Sequence, residues 1–97
     1  MKYEIAPKST EIQANWDDAR LYCFSLNIDG KTGWRLPTKD ELDEIYESDN
    51  DFEERWYWTS TEVNGNSAWG QAMGDGDQGY GVKGYGGDYV RAIRTTI

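Results

Sequence analysis

The run Gly33-Trp34-Arg35-Leu36-Pro37-Thr38-Lys39-Asp40-Glu41-Leu42 puts an extended segment, a proline stop and a helix start within ten positions. Pro37 fixes its own φ and drives Leu36 out of the α region, so Trp34 to Leu36 is expected to be extended. Thr38 is a good N-cap, and Glu41 stands three residues later, the spacing of a capping box. Leu42, Ile45 and Tyr46 then recur at helical spacing. The chain is therefore expected to enter an amphipathic helix from a short strand. Trp34 and Leu36 should be core, and Arg35 should pair with an acidic group.

Other elements follow from pattern. Lys2 to Ala6 alternates weakly and reads as a first strand paired with the C-terminal one. Pro7 to Gln13 reads as a polar connection. Asn15 is placed to cap a helix from Trp16 to about Leu26, and Asp17 and Asp18 suit its positive end. The second helix is expected over about Lys39 to Ser48. Trp56 to Glu62 is aromatic and β-branched, which predicts a strand. Asn64-Gly65 predicts a tight hairpin into a strand over Ser67 to Met73. A short strand is expected over Tyr80 to Lys83. Tyr89 to Thr95 reads as one closing strand, central because both its faces are apolar.

Several pieces resemble C-type-lectin-like domains of the kind found at the C-terminus of bacterial collagen-like adhesins. They are GWRLPTKDEL, Trp16 to Arg20 with Tyr22-Cys23, Tyr57-Trp58-Thr59-Ser60-Thr61, Ala68-Trp69 with Asp75-Gly76, and Tyr89 to Arg94. The first is also similar to a segment of the formylglycine-generating enzymes. A weaker resemblance is to phage tropism proteins. The resemblance spans about residues 15 to 97. It implies a C-type-lectin-like α+β fold: two helices on a small, mostly antiparallel sheet, with a long Gly-rich loop region as ligand face. Residues 1–97 would then form a single domain.

Composition narrows the chemistry. The chain has no His, which removes the commonest general base and metal ligand and every Ser-His or Cys-His dyad. Cys23 is the only cysteine, so no intrachain disulfide forms, and the cysteine pair of the formylglycine-generating enzymes is missing. Cys23 shares a helical stripe with Trp16, Ala19 and Leu26, which reads as core. Gly30-Lys31-Thr32 lacks the upstream glycine of a phosphate-binding loop. No two carboxylates stand out as an acid/base pair. The expected function is therefore not enzymatic.

The formal net charge is −8. Residues 38 to 62 hold ten of the 18 acidic residues but only Lys39 and Arg55 among the basic ones, so this segment alone carries the surplus. An acidic ridge is expected at Asp40, Asp43, Glu44, Glu47, Asp49, Asp51, Glu53 and Glu54. Direct nucleic-acid binding is not expected, since phosphates need a basic patch. There is no run long enough to span a membrane, so no membrane insertion is expected. Met1 to Thr10 has no apolar stretch of the signal-peptide type. Synthesis in the cytoplasm is expected, with a phage particle as one destination.

Nine of the 11 glycines lie between Gly65 and Gly87. The side chains among them are Tyr, Asn, Ser, Gln and Asp, a composition shared with antibody-like paratopes. The expected ligand-binding residues are Asn64, Asn66, Gln71, Asp75, Asp77, Tyr80 and Tyr85. The expected partner is a protein or a surface glycan. Asp75 and Asp77, two apart in a glycine-flexed loop, form a candidate calcium site, although the bidentate Glu of an EF-hand loop is missing. No other cofactor is implied. The alternative function is inhibition of, or assembly with, a basic protein through residues 40 to 54. An assembly role would bring oligomers, with exposed aromatics as the interface.

Overall fold

The computed structural model describes residues 2–96. Its elements, in chain order, are β1 (Tyr3–Ile5), a 3-10 turn (Lys8–Thr10), β2 (Ile12–Gln13), α1 (Trp16–Ser25), β3 (Trp34–Arg35) and α2 (Lys39–Tyr46). Then follow β4 (Trp56–Glu62), β5 (Ser67–Ala72), β6 (Gln78–Val82), β7 (Tyr89–Val90) and β8 (Ile93–Thr95). This is an α+β fold with two helices, but with two sheets rather than one. The first has the order β1-β8-β3 and the second β2-β7-β4-β5-β6, and among the described residues the only parallel pairing is β4 with β7.

The helix starts form as the sequence predicts. Asn15 accepts a hydrogen bond from the Asp18 N–H at the head of α1. At α2 both arms of the capping box are made: Thr38 Oγ1 accepts from the Glu41 N–H, and Glu41 Oε1 accepts from the Thr38 N–H. Glu41 also takes both arms of Arg35, at 2.7 and 2.9 Å. The strand, the proline stop and the helix cap are thus closed by one carboxylate. Arg35 and the cap bonds hold the Glu41 carboxyl down from the ordinary 4.5 to about 2. The unfolded chain binds that proton more readily, so this stabilisation is full above pH 4.5 and lost as pH falls through about 2. Glu41→Gln should flatten the stability curve between those values, as read by thermal unfolding at a series of pH values. An acid limb identical to wild type would show that another group controls it.

The second sheet lies between two apolar clusters because β4 alternates. Trp58 points into a cluster with Trp16, Ala19 and Cys23 of α1 and with Trp34, Leu36, Ala68, Val90 and Ala92. Its neighbour Tyr57 points into the other, with Leu42 and Ile45 of α2 and with Tyr3, Met73 and Ile93. Burial pushes the Cys23 thiol up to about 12. That matches a packing role rather than a nucleophile.

Three expected elements come out differently. The closing segment is two strands: β7 belongs to the second sheet and β8 to the first. Between them the Arg91 side chain is buried. It donates to the Ala6 carbonyl at 2.6 Å, to Glu11 at 2.8 Å and to Asp51 at 2.6 Å. The Pro7 to Gln13 connection contains β2, which pairs with β7. Asn64-Gly65 does not make the type I′ two-residue hairpin, which needs positive φ at both centres. Neither residue has one. Instead Asn64 Oδ1 accepts from the N–H groups of Asn66 and Ser67 and closes a wider turn.

Candidate functional site

On β5 and β6, side chains and glycines fall on opposite faces. The register pairs Trp69 with Tyr80 and Gly70 with Gly79. The first pair, with Gln71 and Gln78, faces α2. Gln71 donates to Asp43 at 3.1 Å, Gln78 donates to the Lys39 carbonyl at 3.2 Å, and the Lys39 ammonium sits 3.9 Å over the Trp69 ring. The glycine face turns the other way, towards α1. The chain leading into α1 covers Trp58, whose indole N–H donates to the Ala14 carbonyl at 2.9 Å. Beyond that cover, the glycine face opens into a groove of about 620 Å³.

Gly70, Gly79 and Gly81 pave the groove, and Trp56, Tyr85 and Asp88 stand around it. Tyr80 and Val82 border it along the sheet edge. Trp56 is 42% exposed and Tyr85 60%. The floor is glycine because Trp56 lies against it: a Cβ at position 79 would sit 3.3 Å from the Trp56 ring, and one at 70 would sit 2.9 Å from the Tyr57 carbonyl. Gly87 likewise gives way to the Tyr85 ring, which folds over it. The glycines thus leave the room that the aromatic rings occupy.

Asp88 supplies the groove's charge. Its backbone carbonyl accepts from the Ala14 N–H at 3.2 Å, which ties it to the scaffold. Its carboxylate reaches over Gly70. Among the described residues it has no hydrogen-bond donor and no cation within 4 Å, and burial pushes its carboxyl above the usual aspartate range. A second hollow adjoins the groove behind Trp56 and Tyr85, with Glu54, Arg55 and Gln13 on its far side.

The sequence-predicted site residues do not converge. Tyr85 lines the groove. The Tyr80 ring belongs to the opposite face, packed edge-on against Trp69 at 5.4 Å, and only borders the groove. Gln71 is fully buried and its amide is spent on Asp43 and the Gly76 carbonyl, so it is not a surface ligand. Asn64 builds the β4–β5 turn, and Asn66 is part of that same turn. Asp75 Oδ1 accepts from the Asp77 N–H at 3.0 Å, an Asx turn between β5 and β6. Among the described residues no three His, Cys, Asp or Glu side chains are grouped to hold a metal ion, so the calcium candidate lacks a third carboxylate. Much of the expected Gly-rich loop is strand.

Sequence reasoning missed Trp56, Gly70, Gly79 and Asp88 as a unit. Trp56 and Trp58 alternate on one face of β4, and that was the available signal. That their face meets glycines across β5 and β6 appears only with the register.

Half of the acidic ridge is engaged internally. Asp43 accepts from Gln71, Glu44 from the Tyr3 hydroxyl at 2.6 Å, Asp51 from Arg91 and Glu53 from Lys8 at 2.9 Å.

A search among curated proteins gives no match. The family model described as "Lcl C-terminal domain" matches residues 3–94, nearly the whole chain, and the protein belongs to that family.

Proposed function

We propose that the domain is a non-catalytic binding module of an adhesin-like protein, and that its recognition surface is the Trp56–Tyr85–Asp88 groove. The observation that carries this reading is the pair of half-exposed aromatic rings held over a glycine floor. Exposed Trp and Tyr are costly to leave in water, and they are the side chains that dominate binding energy at interfaces. The groove offers one carboxylate and no nucleophile–base pair, which favours binding over chemistry. Membership of the family and the resemblance to C-type-lectin-like adhesin domains support the same role. The ligand is a protein or a surface glycan, and a particle-borne attachment role fits equally. The acidic-ridge alternative has less behind it, because four of its eight carboxylates are engaged by the protein's own side chains.

The test is capture of envelope fractions by the tagged domain. Trp56→Ala with Tyr85→Ala should leave a folded circular-dichroism spectrum and weaken capture at least about tenfold, the loss of one hot spot or more. Undiminished capture by the folded double variant would move the site elsewhere.

A further inference from the structure

Resting on the reading that this groove binds a ligand, we infer that its occupant is an extended basic segment of a protein partner, with one Arg or Lys side chain seated between Trp56 and Tyr85 and its charge on Asp88. Three observations converge on a cation. The other carboxylates drawn into the fold have partners: Glu11 has Arg91, Glu41 has Arg35, and Asp43 has the Gln71 amide. Asp88 is half-buried and has none among the described residues, so its carboxylate over Gly70 is free to take a cation from a partner.

The aromatic rings tell the same story. Trp16 carries Arg20 and Lys83, Trp34 carries Arg94, Trp69 carries Lys39 and Phe52 carries Arg91. Trp58 is buried. Trp56 is the one tryptophan that is both exposed and without a cation among the described residues. A tryptophan face is the best aromatic partner for an ammonium or guanidinium group.

The third observation is charge and edge. A chain of net charge −8 attracts basic partners and repels anionic polymers. The groove runs along β6, the last strand of its sheet, whose outer backbone groups have no neighbouring strand. An extended peptide can lie along such an edge and drop one side chain into the groove. Glu54 in the adjoining hollow adds to the attraction. Arg55, also there, makes no ion pair among the described residues.

The experiment is a ¹H–¹⁵N titration of the domain with an acetylated Gly-Ser-Arg-Ser-Gly amide, its Lys and Gln counterparts, and neutral and sulfated oligosaccharides. The arginine or lysine peptide should shift the Trp56 indole and the amides of Gly79 and Asp88. It should bind about tenfold or more tighter than the glutamine peptide, as a charge-assisted bond requires. Asp88→Asn should abolish that preference while melting close to wild type, because among the described residues no hydrogen bond or ion pair of the fold uses that carboxylate.

Equal binding of the glutamine peptide overturns the inference, as does a preference that survives Asp88→Asn, or silence of the groove toward the basic peptides at millimolar concentration. Groove shifts with an oligosaccharide alone would reject the basic segment yet keep the groove as the binding site. If shifts appear nowhere in the groove and the Trp56/Tyr85 double variant still captures envelope material, the underlying reading fails instead.

Discussion

Arg91→Ala should lower unfolding stability by about 3–5 kcal/mol, a large part of the roughly 5–15 kcal/mol available to a domain of this size. The guanidinium is 4% exposed and Glu11 only 7%. Removing the cation leaves Glu11 buried and uncompensated, although the Tyr57 hydroxyl still donates to it at 2.9 Å. It also orphans the Ala6 carbonyl, at the point where the chain passes from one sheet to the other. The loss of Asp51 as a partner matters less, since that side chain is mostly in water. Denaturant unfolding gives the number. Because the cost lies in the uncompensated Glu11 charge, Arg91→Met combined with Glu11→Leu should be more stable than Arg91→Ala alone. A single variant within about 0.5 kcal/mol of wild type, the range of a surface substitution, would show that the buried pair is not what joins the sheets.

Trp58→Ala should cost about 3–5 kcal/mol as well, for a different reason. Trp58 is 1% exposed and bridges α1, β3 and the second sheet through one packed cluster. Its truncation leaves a cavity that the surrounding Trp16, Trp34 and Ala68 cannot close, and it strips the Ala14 carbonyl of its donor. The melting temperature should drop by more than about 10 °C. A near-native melting temperature would contradict the two-cluster core.

Local rules carried the sequence reading where one segment decides the outcome. Both helix caps, the extended Trp34–Arg35 and the aromatic strand β4 are local, and all are present as expected. The Arg35–Glu41 pair lies within seven residues and was expected in kind. Long-range choices were not legible. Nothing in Tyr89 to Thr95 says that Arg91 will be drawn inward by Glu11 and Asp51, far apart in sequence, and split one strand into two. The groove failed for the same reason. Its floor is three glycines on two strands, and its walls come from β4 and from the loop before β7. Gln71 is a buried amide with its own acceptors, which polarity alone does not distinguish from a surface ligand.

The measurement that tests the central claim most directly uses the five tryptophan indole signals of the ¹⁵N-labelled domain in the presence of captured partner. The indoles of Trp16, Trp34 and Trp58 donate to Thr59, Lys31 and Ala14 inside the fold. The account predicts that the Trp56 indole shifts, together with the amides of Gly79, Gly81 and Asp88, while those three hold still. Shifts confined to α2 and the acidic loop after it, or to the exposed Leu21 and Phe24 on α1, with Trp56 unmoved, would contradict it.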